Sequence, residues 1–216
     1  MKKIGIIGIA GAVALASIAA FTFNQGPAAE SSAAPAFATI GEAAPSFTLP
    51  ASNGKNVSLD DYKGKWVVLE WWNNGCPYVK YHYQGNMQKL QKEFTDDGAI
   101  WLSICSSAQG QQGYVTAEEA NKLMESLKGS PTAVLLNPEG DVGKKYAAKT
   151  TPQMFLISPK GELMYDGAID NAPNGRVPAG EKPVNYIKQA YEEAKSGKEV
   201  SVKKTRPYGC NVKYKN

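Results

Sequence analysis

The stretch KWVVLEWWNNGCPYV, residues 65–79, joins an apolar run to a cysteine and a proline. Residues 65–72 are almost continuously apolar, which is typical of a central strand buried on both faces. The polar break at residues 73–75 ends this strand, and Pro77 suits the first turn of a helix, where a missing N–H costs nothing. The stretch therefore predicts a buried strand that leads into a helix beginning at Cys76.

The apolar residues after the break recur at helical spacing. Steps of four, four, three and four residues separate Val79, Tyr83, Met87, Leu90 and Phe94. This spacing predicts one helix with a single buried face. His82 lies to the side of the apolar stripe, so we expect it to be a flanking surface residue.

The remaining pattern alternates strands and helices. Two short strands around the turn Asn53-Gly54 predict a leading hairpin. The later elements are predicted as strands at 99–104, 132–136, 153–157 and 162–167, and helices at 116–128, 141–148 and 183–195. This order indicates an α/β fold with a mixed sheet and helices on both faces.

The N-terminus has the pattern of an export signal. Lys2 and Lys3 precede an uncharged and largely apolar stretch at residues 4–23. That stretch approaches the ~20 residues needed to cross a bilayer, so a cleaved signal peptide and a retained membrane anchor both stay open. Residues 24–38 predict a disordered linker, and residues 39–216 a folded domain. We expect this domain to act outside the cytoplasm, in the periplasm or the extracellular space.

Composition excludes some functions and favours redox chemistry. The chain has 216 residues and a small net charge of +4, much of which comes from lysines at its two ends, and this gives no nucleic-acid footprint. One histidine and three scattered cysteines show no metal-ligand spacing, and we expect no cofactor. An odd number of cysteines in an exported chain leaves at least one thiol free to react.

Three segments together resemble a known family. They are residues 74–79 after the apolar strand, the pair Thr151-Pro152 before a strand, and residues 206–210 in the tail. The combination is similar to the thioredoxin fold in its peroxiredoxin-like, redoxin (AhpC/TSA-type) version with a single active-site cysteine. The resemblance implies a thioredoxin-like α/β fold with an N-terminal β-hairpin extension and a C-terminal helix plus tail. It also implies that Pro152 is a cis proline facing Cys76, so that Thr151 and Pro152 would bind substrate.

Cys76 is the predicted nucleophile. A helix start favours a thiolate, because its free N–H groups and the helix dipole stabilise negative charge. Lys80, one turn later, could add a positive charge. The resemblance places a proton-transferring acid at Glu70, six residues before Cys76, while the residue pattern also allows Glu70 to face solvent or pair with a lysine.

The other two cysteines have different predicted roles. Cys105 ends an apolar strand and is expected to be a core thiol. Cys210 could resolve a mixed disulfide or sulfenate on Cys76, or it could form a structural disulfide worth about 4–5 kcal/mol in the chain-entropy model. Val79 stands where thioredoxins carry a second cysteine, so the usual dithiol is absent.

Three functions follow from these observations. The first is a thiol–disulfide oxidoreductase that acts through Cys76 on exported protein thiols or disulfides, with an unidentified electron donor. The second is a thiol peroxidase in which a hydroperoxide oxidises Cys76 and Cys210 resolves it; the two arginines, Arg176 and Arg206, are both C-terminal and offer no clear partner for a peroxidatic thiolate. The third is a non-catalytic binding module with a permanent Cys76–Cys210 disulfide.

Overall fold

The computed structural model describes residues 37–215, together with residues 1 and 5. The rest of the predicted signal or anchor, and most of the predicted linker, lie outside the described residues. None of the described helices has both the length and the apolar character that a membrane crossing requires.

Nine strands and five helices are defined in the described part of the chain. The strands are β1 (Thr48–Pro50), β2 (Asn56–Ser58), β3 (Val67–Trp71), β4 (Ile100–Cys105), β5 (Ala133–Leu136), β6 (Thr150–Thr151), β7 (Gln153–Ile157), β8 (Leu163–Gly167) and β9 (Cys210–Asn211). The helices are α1 (Pro77–His82), α2 (Asn86–Asp96), α3 (Ala117–Ser126), α4 (Asp141–Lys145) and α5 (Tyr186–Lys195). The predicted strands and helices each have a counterpart here, with ends that differ by a few residues.

The central sheet has five strands in the order β5-β4-β3-β7-β8. Strands β3, β4 and β5 run parallel, while β7 is antiparallel to both β3 and β8. All five residues of β3 are buried, as the continuous apolar run at its position predicts. The predicted mixed α/β sheet is therefore confirmed, with the strand that leads to Cys76 at its centre.

Two apolar clusters cover the two faces of this sheet. On one face, buried side chains of α1, α2, α3 and α5 pack around Trp72, Trp101 and Met154. On the other face, the β1–β2 hairpin and α4 pack around Trp71 and Phe155. Successive apolar side chains of β3 thus belong to opposite clusters, because successive side chains of a strand point to opposite faces.

The predicted single helix after Cys76 is wrong, because the helix is broken in two. The chain turns between α1 and α2, where Gly85 has a φ of 130° that residues with a Cβ rarely adopt. The side chain of Gln88 accepts a hydrogen bond from Gly85 N at 3.0 Å and starts α2. The five stripe residues remain buried on both sides of the break, so the apolar spacing alone gave no sign of it.

A second small sheet ties the C-terminus to the middle of the chain. Strand β9 pairs antiparallel with β6, and this pairing sets Thr151 opposite Cys210 and Thr150 opposite Asn211. The peptide bond between Thr151 and Pro152 is cis, as the resemblance implies. Strand β6 directly precedes β7, whose first residue pairs with the last residue of β3. The β6–β9 pair therefore brings the tail to the end of the central strands at which α1 begins.

Candidate active site

Asn73 organises the turn between β3 and α1. Its side-chain oxygen accepts a hydrogen bond from Gly75 N at 2.8 Å, and its backbone oxygen accepts one from Cys76 N at 3.0 Å. Its side-chain nitrogen donates to the backbone and side-chain oxygens of Gln112 at 3.2 and 3.1 Å. Because Asn73 is itself buried, these contacts fix the turn and place Cys76 at the N-cap of α1.

The sulfur of Cys76 is enclosed. Its side chain is 0% exposed, and Sγ donates a hydrogen bond to the backbone oxygen of Thr151 at 3.0 Å. Thr151 and Pro152 are also buried. The predicted nucleophile and the predicted cis-proline segment are therefore brought together.

Opposing effects act on the pKa of Cys76. Burial raises the pKa, but hydrogen bonds to the sulfur from Val79 N, from the side chain and backbone of Cys210, and from the side chain of Thr151 lower it further than burial raises it. The hydroxyl of Thr151 has no other hydrogen-bond partner and is free to donate to a thiolate. Lys80, which the sequence suggested as a positive neighbour, is exposed and is not among these groups.

Cys210 lies beside Cys76 and differs from it in exposure and acidity. The side chain of Cys210 is partly exposed, and both cysteines are free thiols. The pKa of Cys210 is raised to about 11 by burial, by its hydrogen bond with Cys76 and by the negative charge that Cys76 carries as a thiolate. The pair thus combines an enclosed, acidic thiol with a more accessible, weakly acidic one.

Gly209 permits the close approach of the tail. Its φ of 131° is in the region that favours glycine, and a Cβ at this position would overlap the carbonyl oxygen of Thr151. Residues after Cys210 attach the tail to the rest of the domain through backbone hydrogen bonds. Val212 N donates to Lys149 O at 2.9 Å, and Ala108 N donates to Lys213 O at 2.8 Å. These bonds hold the part of the tail that follows Cys210.

Glu70 is buried, so the alternatives of a solvent-facing acid and of a lysine pair are wrong. Its carboxylate, 0% exposed, accepts hydrogen bonds from four side chains: Tyr83, Gln91, Trp101 and Ser103, at 2.7 to 3.3 Å. Burial raises the pKa of Glu70, and the four donors offset part of that effect. Cys76 is not among its partners, so a proton-transfer role for Glu70 stays a prediction.

The prediction for His82 is wrong. Instead of lying on the surface, His82 is 0% exposed, because α1 ends there and the chain turns away before α2. Its Nε2 is 2.8 Å from the hydroxyl of Tyr208, and its Nδ1 is 2.9 Å from the amide nitrogen of Asn86. Tyr208 also donates to Asp170 Oδ1.

The sequence reasoning missed this polar cluster. Tyr208 belongs to the tail segment that carries the resemblance, but nothing in the spacing of His82, Asp170 and Tyr208 shows that they meet. The one available signal of a buried polar cluster was His82 itself. It is a polar residue beside the apolar stripe of the helix that begins at the predicted nucleophile. The interior partner of that histidine comes from 126 residues further along the chain.

Cys105 is separate from the redox pair, as expected. It is buried, its Sγ donates to Gly113 O at 3.3 Å, and burial raises the pKa of its thiol. Within residues 37–215, no three histidine, cysteine, aspartate or glutamate side chains are grouped so that they could hold a metal ion.

Comparison with known proteins places this arrangement among redox proteins. The model of the AhpC/TSA family matches residues 40–166, more than half of the chain, including Glu70, Cys76, Thr151 and Pro152 but not the tail. The thiol-disulfide oxidoreductase ResA of Bacillus subtilis (strain 168) is 30% identical over 124 residues, 57% of this chain and 64% of ResA. The thioredoxin-like protein YneN of the same organism is 28% identical over 123 residues, 57% of this chain and 68% of YneN. The chain thus spans about two thirds of the length of these relatives.

A solved structure of similar shape extends the likeness over most of the domain. The crystal structure of an uncharacterized conserved protein from Geobacillus kaustophilus has a TM-score of 0.72 and 26% identity, and it covers 82% of this chain and 93% of that one. Together the comparisons confirm the predicted thioredoxin-like fold, the redoxin-type resemblance and the expected class of enzyme, an oxidoreductase.

Proposed function

Because this chain belongs to the AhpC/TSA family, we propose that it is a thiol–disulfide oxidoreductase in which Cys76 is the nucleophile and Cys210 resolves it. The observation that carries the proposal is the contact between the two thiols, made by the pairing of Thr151 with Cys210. The name of the relative ResA, a thiol-disulfide oxidoreductase, favours the same reaction.

Two exchange steps complete the reaction. The Cys76 thiolate attacks a substrate disulfide, forming a Cys76–substrate bond and releasing one substrate thiolate. Cys210 then loses its proton and attacks the Cys76 sulfur, forming the Cys76–Cys210 disulfide and releasing the second substrate thiolate, which takes up the proton. The substrate gains two electrons, and a dithiol donor later returns two electrons to the protein.

The first step prepares the second. Part of the rise in the pKa of Cys210 comes from its hydrogen bond with Cys76 and from the charge on Cys76. Once Cys76 is joined to substrate it carries no charge, so that contribution disappears and the pKa of Cys210 falls. A falling pKa increases the thiolate fraction of Cys210 at the moment when it must attack. In thioredoxins the second cysteine of the pair stands in the helix, at the position that Val79 occupies here. Cys210 supplies the second sulfur from the tail instead.

A hydroperoxide could replace the disulfide as oxidant. Attack of the Cys76 thiolate on the peroxide would give a sulfenic acid and release an alcohol or water, and Cys210 would then form the same disulfide with loss of water. The groups that lower the pKa of Cys76 are hydrogen-bond donors, with neither Arg176 nor Arg206 among them. We therefore propose disulfide exchange as the main reaction.

The proposal is tested with four proteins: the unchanged chain and the variants Cys76→Ser, Cys210→Ser and Cys105→Ser. Each reduced protein is mixed with glutathione disulfide or with hydrogen peroxide, quenched with an alkylating agent, and mapped by mass spectrometry. We expect the unchanged chain and Cys105→Ser to form the Cys76–Cys210 disulfide and Cys76→Ser to form no disulfide with that sulfur. Cys210→Ser should accumulate a mixed disulfide on Cys76 with glutathione disulfide, and a sulfenic acid on Cys76 with hydrogen peroxide.

Two results would oppose this function. The reduction potential of the Cys76–Cys210 disulfide is measured by equilibration with a dithiol such as dithiothreitol. A value far below about −300 mV would indicate a structural disulfide, and therefore a binding module. A reaction that is much faster with hydrogen peroxide than with any disulfide would indicate a peroxidase.

We also propose that the protein acts outside the cytoplasm. The support is the sequence alone: two lysines followed by the uncharged apolar residues 4–23. Cell fractionation, with mass measurement of the N-terminal peptide, tests the location and separates a cleaved signal from a membrane tether. Recovery of the intact chain in the cytoplasmic fraction would oppose the proposal.

A further inference from the structure

Tyr208 stands two residues before Cys210 and reaches into the polar cluster around His82. We infer that Tyr208 is a positioning residue whose hydroxyl, held by His82 and Asp170, keeps Cys210 against Cys76. This inference rests on the proposed redox couple. Tyr208 does not contact the reacting sulfurs and acts through the placement of the tail.

The hydrogen bonds of the cluster have one consistent direction. The Asn86 amide nitrogen is a donor, so His82 Nδ1, 2.9 Å away, accepts and the ring proton is on Nε2. His82 Nε2 then donates to the Tyr208 oxygen at 2.8 Å, and the Tyr208 hydroxyl donates to Asp170 Oδ1. Each donor has one acceptor, and the chain of bonds ends on a carboxylate, which makes the last bond a strong one.

This cluster links the tail to the helix that carries the nucleophile. His82 is the last residue of α1, and Cys76 is the N-cap of the same helix. The Tyr208 ring also packs on the Tyr78 ring, with centroids 5.7 Å apart. Asp170 follows β8 in the chain, and its second carboxylate oxygen lies 4.0 Å from His82 Nδ1. The hydroxyl of Tyr208 therefore joins three parts of the chain around Cys210.

The pairing of β9 needs such support. Strand β9 has two residues, and strand pairs this short have little stability of their own in water. Anchors after Cys210, such as Val212 N to Lys149 O at 2.9 Å, hold only one side. On the other side, Thr205 is bonded to Asp166 and Ala168 but lies five residues before Cys210, whereas Tyr208 is anchored only two residues before it. Without its hydroxyl, Cys210 would spend less time within reach of Cys76, and the effective concentration of one thiol at the other would fall.

The substitution Tyr208→Phe isolates the hydroxyl, because the ring that packs on Tyr78 is retained. Tyr191→Phe is the matched control. Its hydroxyl also donates to a carboxylate, Asp97 Oδ2 at 2.7 Å, but it lies on α5 and away from the tail. Both variants are made in a Cys105→Ser background, so that Cys76 and Cys210 are the two thiols that report.

The measurement is a stopped-flow reaction of the reduced proteins with dithionitrobenzoate, an aromatic disulfide that releases one coloured thiolate at each exchange. The first release reports formation of a mixed disulfide on either cysteine. The reagent is limited to one equivalent per protein, so that a second release requires the second cysteine to attack the mixed disulfide and the two sulfurs to meet. We expect Tyr208→Phe to slow the second release by about tenfold, as expected from loss of a charge-assisted hydrogen bond, without slowing the first. Tyr191→Phe should change neither.

The outcomes separate this inference from the proposed function. If Tyr208→Phe gives a second release as fast as the unchanged chain, Tyr208 does not position Cys210 and the inference is overturned. An equal slowing in Tyr191→Phe would also overturn it, because general loosening of the fold would then explain the effect. If the unchanged chain shows no second release at all, the redox couple itself fails. Melting temperatures of both variants give the purely structural effect for comparison.

Discussion

The sulfur of Cys76 lies 3.0 Å from the carbonyl oxygen of Thr151. Thr151 is also the residue that β6 sets opposite Cys210, so one residue before a cis proline bonds the Cys76 thiol and pairs with the backbone of Cys210. The enclosed thiol and the partly exposed thiol therefore share a single support. Changes at Thr151 and at the tail should alter Cys76 in ways that can be measured.

Removal of the Thr151 hydroxyl should make Cys76 less acidic. Hydrogen bonds to a thiolate favour its charged form and lower its pKa, so Thr151→Val, which keeps shape and backbone, should raise the pKa of Cys76. We expect alkylation of Cys76 at neutral pH to slow by roughly three- to tenfold. The pH dependence of alkylation, followed by mass spectrometry, measures this. Thr150→Val is the control, because the Thr150 hydroxyl is also buried and unpartnered but does not act on Cys76.

An alanine at Gly209 should lift the tail from Cys76. Its Cβ would overlap the carbonyl oxygen of Thr151 and would strain a backbone with a φ of 131°. Gly85→Ala is the matched control, since Gly85 has a φ of 130° and open space around the added atom. Both variants should melt at a lower temperature. Alkylation of Cys76 should rise by about tenfold or more in Gly209→Ala alone, because access limits the reaction of an enclosed thiolate; an equal rise in Gly85→Ala would contradict this.

The oxidised protein should be attacked at Cys210. An external thiolate can reach the partly exposed Cys210 sulfur, and Cys76, the more acidic thiol, is the better leaving group. When the Cys76–Cys210 disulfide is mixed with glutathione and quenched with acid within milliseconds, we expect at least about tenfold more adduct on Cys210 than on Cys76. A predominant adduct on Cys76 would show that the tail opens before attack.

Glu70 should make stability fall as pH rises. Burial raises its folded-state pKa above the ordinary 4.5, so the folded protein holds a proton that the unfolded chain has lost. The contribution of this proton to the free energy of unfolding is fully present below pH 4.5. It is lost as the pH rises from 4.5 through the folded-state pKa, at about 1.4 kcal/mol per pH unit at most. Denaturant unfolding of the unchanged chain and Glu70→Gln across this range tests the sign. The stability of the unchanged chain relative to that of Glu70→Gln should fall as pH rises.

The sequence was most informative where one local rule decides the structure. The apolar run around Leu69 predicts a strand buried on both faces, and Cys76-Pro77 predicts the beginning of a helix. The helix predicted from residue 116 is α3, which begins with a capping box formed by Thr116 and Glu119. Each of these features depends on residues that are neighbours in the chain, and each was confirmed by the structure.

The features that the sequence did not reveal depend on contacts between distant segments. Glu70 could be judged an acid in a strand, but its four donors come from three other parts of the fold. The break in the helix at Gly85 could not be recognised, because the apolar spacing continues unchanged across it. His82 is bonded to Tyr208, a residue 126 positions further along the chain, and the pairing of Cys210 with Thr151 involves strands too short to leave a pattern.

The tail makes the protein respond to the size of its substrate. The backbone groups of Thr150 and Thr151 are already taken by Cys210 and Asn211, so an incoming polypeptide cannot add a strand at this edge until the tail leaves. Its apparent affinity is reduced by the fraction of molecules in which the tail is open. A small disulfide needs no strand pairing with Thr150 and Thr151 and carries no such penalty, so the two residues of β9 distinguish between the two kinds of substrate.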